Sequence, residues 1–363
     1  MLTLHAFNGL TGAHICRLPL ISASWSDSIN EFGSLSATVL DDGSIPSTAL
    51  RQWGAIIALV DESSVLHAGY LKHAKLSRAN QRWTLEAGGG GTILEKRLVL
   101  NYLLNSSWID GQVVVDEDTP SGNWPLTFTG SYSDIISKLI SETLKWGALP
   151  LQPATLTGGN KTRTYNSFDF ATVADRIKDI GDLENGPEWR FMPALSAAWV
   201  LTFTQQTSLD GGELVDNQWH WNAIAPQSGV LLDDEDIDGA DMTCSCYAHG
   251  GKDDDLLLVT RHTSTALTGA GWPLLQSADT SHSTVSVLST LQAYARRAVI
   301  VGDDPQRTIA LKISRQLYNV HVGDWATLRY GAGDSDIIAL KVVDVKGSTD
   351  SDMLTVCARE RVS

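Results

Sequence analysis

Four consecutive glycines, Gly88 to Gly91, are the nearest thing to a chemical motif in this 363-residue chain, because a glycine loop after a strand can bring backbone N–H groups against a phosphate. They are followed by Thr92-Ile93-Leu94 rather than by Gly-Lys-Ser or Gly-Lys-Thr, so no lysine is placed to reach such a phosphate. A hinge is the expected role. No HExxH, no GxSxG and no cysteine pair at zinc-finger spacing occurs. The nine histidines are scattered, and His249 beside Gly250-Gly251 reads as a turn residue. Asp253, Asp254 and Asp255 could meet a hard cation, but consecutive side chains of an extended loop point different ways and the EF-hand spacing is absent, so a solvated loop is expected. A carboxylate pair for glycoside hydrolysis is positioned by the fold, and no spacing here selects one. The twelve tryptophans, spread singly from Trp25 to Trp325, fit core or subunit-interface packing better than a sugar-stacking platform. The sequence thus assigns no catalytic, metal-binding or cofactor-binding residue and no cofactor, and a protein that is not an enzyme is expected.

With 27 basic and 42 acidic side chains the formal net charge is −15, the wrong sign for gripping nucleic acid through its phosphates. A wall of that sign would instead repel DNA and let it slide past, although the plainer use of such charge is solubility. The acids crowd between Asp210 and Asp255, most densely at Asp233, Asp234, Glu235, Asp236 and Asp238. The longest apolar run, about Gly54 to Val60, is far shorter than the ~18 residues of a membrane span. Met1-Leu2-Thr3-Leu4-His5 has no basic stretch leading into an apolar one, so neither a spanning nor a classically secreted chain is expected. Of the four cysteines, Cys16, Cys244, Cys246 and Cys357, none forms a CxxC pair, and Cys244 and Cys246 fall on one face of one strand, which fits synthesis in a reducing compartment.

The elements that must position these side chains are mostly strands. Leu2 to Phe7, Ile21 to Asp27 and Ser34 to Leu40 read as extended segments. Ser131 to Trp146 and Phe170 to Leu183 carry apolar residues at helical spacing, and Glu188 to Pro193 with Ala198 to Thr204 reads as a hairpin. Beyond residue 226 strands return, around one further helix at Ser289 to Val301 and a polar loop at Gly250 to Asp255. An internal echo organises the whole. Setting Gly54 on Gly323 without a gap puts Leu59 on Leu328, Leu71 on Leu340, Lys72 on Lys341, Ala74 on Val343, Leu76 on Val345 and Leu85 on Leu354. Each stretch is a three-stranded meander, although period-2 patterns also match in part by parity alone. The expected architecture is mainly β with an α+β insertion: a first tube-like β-barrel over 1–100, an α+β middle domain over 101–225, and a second tube-like β-barrel over 226–363 with an inserted segment at about 251–300.

This order of parts resembles the hub proteins at the distal tip of tailed-phage tails, including siphophage minor tail proteins, contractile-phage baseplate hubs and the related front half of type VI secretion spikes. The resemblance is carried by Arg82-Trp83-Thr84-Leu85-Glu86-Ala87-Gly88 with Leu94-Glu95-Lys96-Arg97, by Asp175-Arg176-Ile177 and Glu188-Trp189-Arg190-Phe191, and by Val322-Gly323-Asp324-Trp325-Ala326-Thr327-Leu328 with Lys341-Val342-Val343-Asp344-Val345. It implies a virion protein at the distal end of the tail, made in the host cytoplasm. It implies a homotrimer whose two barrels per chain imitate six-fold symmetry and surround a lumen through which DNA passes without specific binding. The implied neighbours are a hexameric distal tail protein, the tape-measure protein, and a central fibre or receptor-binding protein. The chain stops at Ser363 just after the second barrel, so no appended lysin or fibre domain is expected. A carbohydrate-binding tail-tip protein, a type VI-like spike hub and a cell-wall hydrolase are the alternative readings, the first marked by an aromatic groove and the last by a deep pocket holding a carboxylate or Ser/His pair.

Overall fold

The computed structural model describes residues 2–62, 64–107, 124–156, 158–253, 256–282, 285, 287–333 and 336–361, with only the backbone of 106, 107, 252, 253, 256 and 257. Met1, Asp254, Asp255 and Ser363, named above, and Trp108, one of the twelve tryptophans, lie outside the described residues. The chain opens with strands β1 (Leu2–Asn8), β2 (His14–Leu18), β3 (Leu20–Ser28), β4 (Ser34–Leu40), β5 (Ala55–Asp61), β6 (Ser64–Ser77) and β7 (Arg82–Gly88), which lie side by side in the order β3-β4-β7-β6-β5-β1-β2. The apolar run seen in the sequence is β5, and it is continuous because both of its faces are covered. Ile57 and Leu59 enter the core under the sheet, while Ile56, Ala58 and Val60 enter a second core on the opposite face.

That second core is built by the insertion, which contributes β8 (Pro125–Gly130), α1 (Tyr132–Lys145), β9 (Leu151–Gln152), β10 (Lys161–Asn166), α2 (Val173–Gly181), β11 (Trp189–Leu195) and β12 (Leu201–Thr207). Both helices start at side-chain caps. Ser131 accepts from Asp134 N–H and Thr172 from Asp175 N–H, and each acid also faces the positive end of its helix. Ile135, Ile136, Leu139 and Ile140 of α1 and Val173, Ala174, Ile177 and Ile180 of α2 then point inward together with Trp189 and Phe203.

The remainder comprises β13 (Gln218–Asn222), β14 (Val230–Asp238), β15 (Ser245–Asp253), β16 (Leu256–Thr263), α3 (Ala266–Gly269), β17 (Gln276–Asp279), α4 (Leu288–Val301), β18 (Gln306–Ser314), β19 (Trp325–Arg329), β20 (Ile337–Ser348) and β21 (Met353–Glu360). β15 runs through Gly250 to Asp253, where a polar loop was expected, because those residues pair with β16 around a bulge. β15, β16 and β17 form a separate small sheet covered by α4. The other strands join the first seven in one 13-stranded sheet, in the order β14-β18-β21-β20-β3-β4-β7-β6-β5-β1-β2, with β19 and then β13 beside β20. The fold is therefore mainly β, but among the described residues no sheet closes into a barrel. The strand set expected to close a first barrel spends the edge of β3 on β20 instead, and one core runs beneath both halves.

The echo is real in the ladders, with its register corrected. In β5–β6 Ile56 faces Tyr70, and in β19–β20 Trp325 faces Lys341. In β6–β7 a bulge at Lys72 separates the pairs Leu71–Ala87 and His73–Glu86; in β20–β21 a bulge at Val343 separates Val342–Ala358 and Asp344–Cys357. Gly54 and Leu59 keep their partners Gly323 and Leu328, but Leu71 takes the place of Val342 and Leu85 that of Val356, two residues later than the gap-free match. The connection between β19 and β20 absorbs those two residues. A slip of two preserves which face is buried, which is why the gap-free pattern still looked periodic. β4 and β18 continue the correspondence, with Leu35, Ala37 and Val39 standing where Ile309, Leu311 and Ile313 stand. The outermost strands differ, since β1 is antiparallel to β5 and β13 is parallel to β19.

Candidate assembly interface

Gly88 to Gly91 are buried and wedged: a Cβ on Gly89 would lie 1.5 Å from the Phe32 carbonyl oxygen, and one on Gly90 would lie 2.1 Å from the Phe203 ring. These glycines serve close approach, not the hinge motion expected of them. His249 lies within β15, not in a turn. All four cysteines are unpaired, and buried Cys244 accepts a hydrogen bond from Leu275 N–H.

Two polar constellations escaped the sequence because their members are far apart along the chain. Asp27 and His67 meet at 3.1 Å on a cleft of about 120 Å³. The pair resembles an acid–base dyad, yet among the described residues His67 Nε2 is buried without a hydrogen-bond partner, so none of them is held as a nucleophile for it to activate. Nearby, Asp216, His321 and Asp324 bring one ligand atom each to within 4.8 Å of the others. Arg190 already pairs with Asp216, and the Asp324 carboxylate accepts from Trp219 Nε1 at 2.8 Å, His321 N–H at 3.0 Å and Asn217 N–H at 3.2 Å. Burial lowers the pKa of His321 against the opposing pull of Asp324. This set is a folding junction between insertion and sheet. It also explains the Gly323-Asp324 signature: Gly323 takes φ +91° at the turn, and Asp324 ties the turn to β13 and its approach. Beside it, Lys341 is buried against Glu188, with burial lowering its pKa and Glu188 raising it.

The aromatic residues likewise serve packing. Trp189 and Trp221 are fully buried, Trp219 meets Tyr318 edge-on at 5.7 Å, and the Arg361 guanidinium lies 3.6 Å above the Trp325 ring. Trp199, 39% exposed, covers His5 and His14.

What remains is the geometry of strand edges. The two repeated units are joined where β3 pairs with the second half of β20, Ser28 to Ser24 opposite Asp344 to Ser348. That half of β20 is free to accept β3 because β19 pairs only as far as Lys341. Trp25 is buried at this seam over Gly347, where a Cβ would lie 2.1 Å from its ring. Ile29 N–H donates to Val343 O at 3.0 Å and Thr349 N–H to Ala23 O at 2.8 Å, so the intervening pairs Ser28–Asp344, Ser26–Lys346 and Ser24–Ser348 are the close, non-hydrogen-bonded ones. Ser28 Oγ donates to Asp344 across the first of them, at 2.7 Å.

The same two edges recur, uncovered, in the other halves of the repeat. β6 pairs with β5 only through Tyr70, so among the described residues His73 to Ser77 present an open edge equivalent to Asp344 to Ser348. β14, standing where β3 stands, pairs among the described residues with β18 alone, and every residue from Leu231 to Asp238 is exposed. The acidic cluster of the sequence is this strand.

No family model and no curated protein matches the chain in sequence. Solved structures match it in fold. The tail protein from Neisseria meningitidis is 11% identical with a TM-score of 0.54, over 99% of this chain and 96% of that one. The 43 kDa tail protein of prophage MuSo2 from Shewanella oneidensis is 10% identical with a TM-score of 0.54, over 99% and 98%. A type VI secretion system component from E. coli, reported as structurally similar to the T4 bacteriophage tail proteins gp27 and gp5, is 10% identical with a TM-score of 0.50, over 95% and 74%. Along nearly its whole length the chain has the fold of these tail proteins.

Proposed function

We propose that this protein is a structural hub of a phage tail tip, located in the virion. Three copies form a ring in which two similar sheet units per chain adapt a six-fold tail tube to a three-fold tip around the passage for DNA. The observation that carries this reading is the repeat itself: one chain holds two five-stranded units with matched ladders and matched bulges. Two like units in one subunit are what a closed three-fold assembly needs in order to offer six similar surfaces to a six-fold neighbour. The fold shared with phage and prophage tail proteins supports it. A structural role rather than a catalytic one agrees with the polar residues serving as packing and junction groups. In this reading the neighbours are a hexameric distal tail protein, the end of the tape-measure protein and a central fibre or receptor-binding protein, and DNA crosses the lumen without specific binding. The three parts 1–100, 101–225 and 226–363 would act as tube unit, outer buttress and tube unit.

Light scattering of the purified chain tests the ring. A mass three times the 39.3 kDa of one chain is expected, and a dimer or tetramer as the only assembly would sink the proposal. Antibody labelling of particles should mark one tail end. A type VI-like spike hub is the second reading, favoured by the fold of the E. coli component, and labelling of secretion assemblies instead of phage particles would select it.

A further inference from the structure

We infer that β14 of one copy pairs in antiparallel register with the His73–Ser77 edge of β6 of the next copy, reproducing between molecules the β3–β20 seam seen within one. The inference deepens the three-copy reading and rests on it for the number of copies. The register follows from the repeat. Trp25 pairs with Leu35 and Glu235 with Ile309, and Leu35 and Ile309 are equivalent, so Glu235 takes the place of Trp25. His73 and Asp344 both follow the bulge and face Glu86 and Cys357, so they too are equivalent. Transferring the seam then sets His73 opposite Asp238, Ala74 opposite Ile237, Lys75 opposite Asp236, Leu76 opposite Glu235 and Ser77 opposite Asp234.

The side chains agree with this register independently of the ladder. In the seam the close, non-hydrogen-bonded pairs are those of Ser28, Ser26 and Ser24; their transferred counterparts are Asp238–His73, Asp236–Lys75 and Asp234–Ser77. Each sets an acid of β14 against a base or a hydroxyl, the arrangement that stabilises directly opposed residues. Lys75 and Asp236 have no ion-pair partner of their own among the described residues, whereas Glu235 and Asp233 are already paired with Arg307 and Lys312. Ile237, 64% exposed among the acids from Asp233 to Asp238, falls opposite Ala74. Five acids on one uncovered edge also keep two β14 strands from pairing with each other, since like charges directly opposite repel. The occupant that fits the acidic edge is therefore the basic edge of a second copy, head to tail, a heterologous contact that makes a ring where the rotation closes.

A chain carrying Lys75→Cys and Asp236→Cys tests the pairing. After oxidation, dimer and trimer bands and nothing larger are expected on a non-reducing gel, at least ten-fold stronger than in either single variant or the unsubstituted chain, whose own thiols set the background. Native mass is measured beside it. A trimer by mass with no cross-link above background overturns the edge pairing and leaves the three-copy reading standing. Cross-linked species running past the trimer support the edge pairing and overturn the ring of three. A chain that stays monomeric and uncross-linked up to hundreds of micromolar overturns both. Lys75→Glu should reduce assembly at least ten-fold and Lys75→Glu with Asp236→Lys should restore it, a rescue that a folding defect would not show; failure of the rescue counts against the register.

Discussion

Gly69 and Gly89 sit where neighbouring backbones touch, and the space around them explains why no other residue fits. A Cβ on Gly69 would lie 1.3 Å from the Gly88 carbonyl oxygen, so relief requires the backbone itself to move. Gly89→Ala should cost about 1–3 kcal/mol or more through overpacking, measured by denaturant unfolding. Gly269 has open space around it, and Gly269→Ala in the same assay should change stability by no more than about 1 kcal/mol, if anything upward. His5 carries the clearest pH dependence. Burial, then the proximity of His14 and Arg17, lower its pKa from 6.5 to about 4. The folded chain binds fewer protons than the unfolded one between those values, so the stabilisation is complete above pH 6.5 and is lost as pH falls to about 4. In His5→Gln the slope of stability between pH 6.5 and 4 should be shallower than in the unsubstituted chain.

At the scale of elements the β3–β20 seam is what makes one sheet out of two units. Trp25 fills the space that Gly347 leaves open, so Trp25→Ala should lower stability by about 3–5 kcal/mol. Because the seam is the main hydrogen-bonded connection between the units, calorimetry of that variant should show a broadened or split transition in place of a single one. Buried Lys341 is a second such point. Lys341→Ala would leave Glu188 uncompensated at the junction, with an expected loss of about 3–5 kcal/mol. Lys341→Met with Glu188→Leu should recover most of it, because two apolar groups leave no charge stranded.

For the whole molecule, the net charge of −15 is unevenly spread, and the uneven part sits on an edge. Association through exposed acidic and basic edges is screened as the Debye length falls from about 10 Å at 0.1 M salt to about 3 Å at 1 M. The proposed trimer should therefore weaken with added sodium chloride, read as a falling average mass at fixed protein concentration. A mass that rises with salt would point to apolar docking instead.

Strand, helix and repeat were legible because each depends on local periodicity. The helical spacing of α1 and α2, the uninterrupted apolar run of β5 and the alternating strands on either side of the two bulges are written in neighbouring residues, and a duplicated pattern survives a two-residue slip since faces repeat every second residue. Asp27 with His67, Arg190 with Asp216 and Lys341 with Glu188 were not legible, as nothing local marks residues that meet only after the chain has folded back. The same holds for edges. The order of residues determined that five acids cluster near residue 235, and their alternation that the chain builds mostly strands. Only the tertiary structure decided that β3 closes on β20 rather than on its own unit, and so left β14 and the second half of β6 uncovered, because which edge a strand takes depends on the shape of the sheet that is already there.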